Sequence, residues 1–207
     1  QAAALPPAQK DAIIAYLTHD SAPQPAGAVN SLCAPEKQTY SATLRTPHWT
    51  GWGNDVTQHR FQSDEQAQLT ADQVSRLKLK WAFGYPNAQN AAAQPTIVNG
   101  RLFVGSANGN VYALDAATGC TYWTYNAGFP VRTAISVDEK TNTLYFSDRR
   151  TGVHAVNAMT GKGVWKTLLD EHRIVTITGA PTLSGGVLYV PMTTNEDAAA
   201  ADPRYEC

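Results

Sequence analysis

The chain has 207 residues, 16 of them Lys or Arg and 17 Asp or Glu, for a formal charge of −1. That balance excludes the basic excess a nucleic-acid partner requires. With 16% charged and 43% apolar residues the composition is that of a folding chain rather than a disordered one. No apolar run reaches the roughly 18 residues of a membrane span. Gln1–Asp11 lacks the basic-then-apolar order of a secretory leader. Cys33, Cys120 and Cys207 are an odd set without zinc-ligand spacing.

In chain order, residues 5–17 predict a short helix. Pro6 and Pro7 lead into it, and Ile13, Ile14 and Leu17 make an apolar stripe. Residues 20–47 read as a linker, broken by Pro23, Pro25, Gly27, Pro35 and Pro47 with no periodicity. From Thr96 onward the pattern is strand and turn. Two short apolar runs flank Asn99-Gly100, a pair that supplies positive φ at both positions of a hairpin turn. Asn108-Gly109 marks a second turn, followed by Val111–Leu114. The Asp115–Gly119 turn then leads to Tyr122–Tyr125. This predicts four antiparallel strands.

The pattern repeats. Ala113-Leu-Asp-Ala-Ala-Thr-Gly-Cys-Thr-Tyr-Trp123 matches Ala155-Val-Asn-Ala-Met-Thr-Gly-Lys-Gly-Val-Trp165. A third copy opens at Ala180–Val190, and Trp81 reads as the outer strand of an earlier one. Four-stranded units recurring every 40–50 residues or so are blades of a β-propeller. The fold class is therefore all-β, a partial propeller preceded by a short N-terminal helix. The tryptophans are read as scaffold, each indole docking on the neighbouring blade. The five histidines lack metal spacing, and His59 is read as turn packing. No Gly-rich phosphate loop or Ser-His-Asp arrangement is evident. Cys33 and Cys120 are read as structural, their pairing left open.

Ala-x-Asp-x-x-Thr-Gly-x-x-x-Trp is present in full at Ala113–Trp123, and with Asn157 for the Asp in the second copy. It resembles the docking motif of the pyrroloquinoline quinone (PQQ) type eight-bladed propellers. Trp49–Gln62, followed by Leu69–Trp81, resembles the opening of the quinoprotein alcohol dehydrogenase domain, more narrowly its polyvinyl-alcohol dehydrogenase branch. Met192–Cys207 resembles a stretch of that branch that runs into two adjacent cysteines. The resemblance implies residues 1–19 as a remnant of the last helix of a cytochrome c domain, 20–47 as a linker, and 48–207 as the first blades of a truncated propeller. No Cys-x-x-Cys-His is present, so haem c is expected in the parent protein but not attached to this chain.

The resemblance also implies a site. Aligning the inner strands Gln94–Val98, Ala134–Asp138 and Ala180–Ser184 puts Ala92, Arg132 and Thr178 at one rim position. Arg132 is the expected PQQ contact, a planar guanidinium suited to a carboxylate. Thr133 and Thr178 are expected to line the same site, and Cys207 to pack on the quinone as half of a vicinal pair. Glu196, with Asp197 as the weaker candidate, is expected to ligate Ca²⁺. The catalytic Asp is expected beyond residue 207, which would leave this chain inactive alone. The implied activity is oxidation of a secondary or polymeric alcohol, with cytochrome c as acceptor, in the periplasm or outside the cell. The alternative is a cofactor-free propeller that binds proteins, of the outer-membrane assembly type.

Overall fold

In the computed structural model, residues 31–35, 40, 45, 47–55, 57, 59–88 and 90–205 are described. The expected helix at 5–17, most of the linker, and Cys207 lie outside them. A compact unit begins at Leu32.

Two complete four-stranded antiparallel blades form its centre. The first runs β1 (Thr96–Val98), β2 (Arg101–Gly105), β3 (Asn110–Asp115) and β4 (Thr121–Asn126), in that spatial order. The second runs β5 (Ser136–Asp138), β6 (Thr143–Ser147), β7 (Gly152–Asn157) and β8 (Gly163–Leu168), in the same order. The register shifts between Ala113 and Leu114 in one blade and between Ala155 and Val156 in the other, so even the bulge repeats.

Each turn follows from its residues. Asn99 and Gly100 have φ of 51° and 77°, the mirror-image turn that Asn-Gly favours. The next turn differs: Gly109 N–H donates to Ser106 O at 3.1 Å, and of its residues only Gly109 has positive φ. Asp115 Oδ1 accepts from the N–H groups of Ala117 and Thr118 and from the Thr118 hydroxyl. Asn157 Oδ1 accepts the equivalent three bonds from Met159 and Thr160. The Asn-for-Asp departure is silent because the turn needs an oxygen acceptor rather than a charge.

The core lies between the blades, with Phe103, Val111 and Ala113 of the first against Ile135, Leu144 and Phe146 of the second. Two of the three repeated indoles dock as expected, while Trp165, 43% exposed, packs on Tyr145 of its own blade. Trp81 Nε1–H donates to Ala116 O at 3.2 Å, and Trp123 Nε1–H to Ala158 O at 3.1 Å. Leu77–Tyr85 nevertheless forms no ladder among the described residues, so Trp81 docks without the expected outer strand.

Arg101 reinforces the same seam from inside. It is 2% exposed and donates to Ala158 O and Met159 O at 3.0 and 2.9 Å. Its guanidinium stacks over Tyr122 at 4.1 Å. Burial and the hydrogen bond to Asp115 push the Tyr122 phenol up to about 12.

The third copy contributes the hairpin β10 (Thr182–Ser184) with β11 (Val187–Tyr189). A second two-stranded pair joins β9 (Val175–Thr176) to β12 (Thr193–Thr194). Short helices α1 (Asp64–Ala67) and α2 (Glu196–Ala199) lie before and after the two complete blades, the second in a region where strand and turn alone are expected. Trp49 forms an antiparallel bridge with Ile97, laying the Trp49 segment beside β1.

Cys33 and Cys120 form a disulfide with Cα atoms 5.1 Å apart, across 87 residues of sequence. Closing so long a loop restricts the unfolded chain. Reduction or Cys33→Ser should therefore cost about 2–4 kcal/mol. Urea unfolding of oxidised against reduced protein measures this.

Candidate functional site

Of the residues singled out by sequence, Arg132, Thr133 and Thr178 lie on connections between strands, and Glu196 opens the last short helix. Arg132 is exposed on the segment joining β4 to β5. It lines a cavity of about 380 Å³ together with Asn90, Ala92, Ala107 and Arg149. Ala92 was the first-copy counterpart of Arg132, so two of the three aligned rim positions share one cavity. Thr178, the third, is exposed on the segment between β9 and β10 and does not line it.

Thr133 points into the structure instead. It is 1% exposed, and its hydroxyl donates to Ser147 O at 3.4 Å while accepting from Ser147 N–H at 3.5 Å. Those bonds fix the entry to β5 against the end of β6, and so fix the backbone that carries Arg132.

Glu196 is exposed at the first position of α2. Its carboxylate accepts from the Thr194 hydroxyl and from the Tyr205 phenol, each at 3.2 Å. Asp197 follows it, also exposed. Among the described residues no three His, Cys, Asp or Glu side chains converge as a metal site. Glu196 is therefore suited to give one hard oxygen ligand rather than a complete cage.

Sequence reasoning missed the turn between β6 and β7. Asp148, 1% exposed, sits at its start. One carboxylate oxygen accepts from the N–H groups of Arg150 and Gly152, at 2.8 and 3.0 Å. The other lies 2.9 Å from His154 Nε2 and 3.7 Å from Lys166 Nζ. His154 is fully buried, stacked on Phe146, with its Nδ1 bonded to the Tyr125 hydroxyl at 3.1 Å. Burial works to raise the Asp148 carboxyl, but the bonds from His154, Arg150 and Gly152 outweigh it and hold it below the ordinary carboxylate value.

This buried acid shapes the turn that presents Arg149 and Arg150. Arg150 lies over the Phe129 ring at 5.8 Å. Both arginines line a second cavity, of about 270 Å³, with Arg173, Thr176 and Asn195. The two cavities share Pro130 and Arg149. The cavity lined by Arg132 and Arg149 is thus a concave surface bearing two arginines, chemically suited to a ligand carrying carboxylates, while Arg150 belongs to the neighbouring cavity alone. A signal for it existed in the repeats. Ala107 and Arg149 occupy the same place in successive copies, and both line the Arg132 cavity.

Comparison with known proteins bears on this geometry. Residues 43–204 match the PQQ_2 family, described as "Outer membrane protein assembly factor BamB". The chain is 42% identical over 171 residues to a polyvinylalcohol dehydrogenase of Pseudomonas sp, covering 79% of this chain and 26% of that protein. It is 39% identical over 165 residues to the polyvinylalcohol dehydrogenase of Sphingopyxis sp. (strain 113P3), covering 77% and 25%. Among solved structures it resembles the quinohemoprotein alcohol dehydrogenase of Comamonas testosteroni, with a TM-score of 0.63 and 25% identity over 78% of this chain and 25% of that one. The chain spans about a quarter of the length of the relatives it matches.

Proposed function

The chain belongs to the quinoprotein alcohol dehydrogenases, in the branch of the polyvinylalcohol dehydrogenases, and from that premise we propose that its blades anchor PQQ in an enzyme that oxidises secondary or polymeric alcohols. One observation carries the reading. The arginine expected to contact the quinone is exposed in a cavity at the seam between the two complete blades.

The residues fit the group. PQQ bears three carboxylates, and the Arg132 guanidinium can hold one of them with two parallel N–H donors, fixing its orientation. Thr133 acts through the backbone, by locking that segment to Ser147. The Thr178 hydroxyl is free to donate from the next connection, and Cys207 belongs to the proposed quinone contact as well. Glu196 would give one oxygen to a Ca²⁺ ion, whose charge would draw electrons from a coordinated carbonyl. The chemistry supplied by a bound quinone is acceptance of the two electrons released when an alcohol becomes a carbonyl compound.

Passage of those electrons to cytochrome c, and residence in the periplasm or outside the cell, belong to the same proposal. The Cys33–Cys120 disulfide suits an oxidising compartment. Attachment of haem c is proposed for the parent protein alone.

The test is dye reduction by the protein carrying this chain, supplied with PQQ and Ca²⁺ and a secondary alcohol. Turnover dependent on all three is expected, with at least a tenfold loss of apparent PQQ affinity in Arg132→Gln. Absence of turnover and of PQQ binding would favour the second reading, a protein-binding scaffold. The description of the matched family is what supports that alternative.

A further inference from the structure

We infer that Arg149 is a second anchor for the ligand of the Arg132 cavity, so that two guanidinium groups from successive connections hold a single polycarboxylate between them. The inference rests on the reading of that cavity as the quinone site, and adds a residue that neither the docking motif nor the aligned rim positions pick out.

Three observations support it. First, Arg132 and Arg149 are both exposed residues lining the same cavity, and among the described residues neither makes an ion pair. Two cations facing one hollow repel each other, and an anion between them relieves that repulsion. Second, the Arg149 backbone is held from both sides. Its N–H donates to Pro130 O at 2.9 Å, on the segment that carries Arg132. Its carbonyl accepts from the Thr176 hydroxyl at 2.8 Å, on the strand leading to Thr178. Third, the turn itself is organised by a buried carboxylate, Asp148, which bonds the N–H groups on the far side of Arg149. A long side chain launched from a fixed backbone loses less freedom on binding than one on a loose loop.

The position is specific within the repeats. Its counterpart in the first blade is Ala107, which lines the same cavity but carries no charge, so the second guanidinium comes from the second blade alone. Arg150, beside it, lies toward Phe129 and lines the neighbouring cavity but not this one. That makes Arg150 the natural control, with nearly the same charge effect and no place in the clamp.

Calorimetric titration of the protein carrying this chain, at low ionic strength, tests the inference with two probes. One is PQQ. The other is benzene-1,3,5-tricarboxylate, which is planar and triply anionic but has no quinone. Arg149→Gln should weaken both probes about tenfold or more, as Arg132→Gln should. Arg149→Lys should recover only part of the loss, because the ammonium lacks the planar fork. Arg150→Gln should stay within about twofold, and circular dichroism should show all variants folded.

If Arg132→Gln weakens PQQ binding and Arg149→Gln does not, the clamp is wrong and the quinone site stands. If both variants weaken the tricarboxylate while PQQ binds no more tightly than it, the clamp stands and the quinone reading falls. A folded protein that binds neither probe overturns both.

Discussion

Replacing Asp148 by Ala should lower the free energy of unfolding by about 3–5 kcal/mol, the cost of stripping one partner from a buried charged network. The carboxylate is 1% exposed and has three kinds of donor: the N–H groups of Arg150 and Gly152, the buried His154 ring, and the Lys166 ammonium. With it gone, His154 Nε2 and the Gly152 N–H lose their acceptor with little access to water, and the partly buried Arg150 N–H loses its acceptor as well. Asp148→Asn keeps an oxygen for the two N–H groups but loses the charge facing His154 and Lys166, so it should cost less.

The sign of the pH dependence follows. The folded carboxyl titrates below its ordinary value of 3.8. Its contribution is therefore fully present above that value and is lost as pH falls through the folded one. Acid unfolding curves of wild type should steepen below about pH 4, where Asp148→Asn should be flatter. Equal acid sensitivity of the two proteins, or a loss under about 1 kcal/mol in Asp148→Ala at neutral pH, would contradict this account of the network.

The second large effect lies at the joint between blades. Gly161→Val should destabilise the chain by about 3 kcal/mol or more, from two causes that add. The residue sits at φ 72°, where a β-branched side chain is strained. A Cβ there would also lie 2.6 Å from the Trp123 indole, too close for either to remain in place. Gly119, at φ 76° and with Trp81 2.8 Å from its would-be Cβ, is the same joint one blade earlier. Trp123→Ala should cost about 3 kcal/mol by removing the indole that Gly161 receives. Trp165→Ala should cost less than half as much. Trp165 is 43% exposed and tilts against Tyr145, with no described glycine turn beneath it. Urea unfolding of the three variants ranks them. Equal losses for Trp123 and Trp165 would show that the indoles stabilise only their own blades.

These joints were legible in the sequence because docking recurs. The same turn, the same glycine and the same indole return in register, and a repeated pattern can be read without knowing what it touches. The hairpins were legible for a related reason, since Asn99-Gly100 fixes its own backbone locally. The Asp148–His154 pair was not legible. Its counterparts in the first blade are Ser106 and Tyr112, so nothing recurs, and the residues meet only when β6 and β7 pair. Arg101 was missed in the same way. A buried arginine reads as a surface one until the carbonyls of Ala158 and Met159 are placed beside it.

The site divides along the same line. Arg132 was proposed by aligning inner strands, and the cavity it lines includes Ala92 from the same alignment. Thr133 was read as lining that site, yet alternation along the chain turns its hydroxyl inward to Ser147. Comparing turns instead of strands singles out Arg149, since Ala107 in the first copy becomes arginine in the second. The helix placed over residues 5–17 and the contact assigned to Cys207 lie outside the described residues.

The central claim is that the rim between the two complete blades holds PQQ. A crystal structure of the protein carrying this chain, grown with PQQ and Ca²⁺, tests it most directly. The account predicts cofactor density over that rim, with a PQQ carboxylate within hydrogen-bond distance of the Arg132 guanidinium. Clear density for PQQ elsewhere, or a rim that stays empty at saturating PQQ, would contradict it.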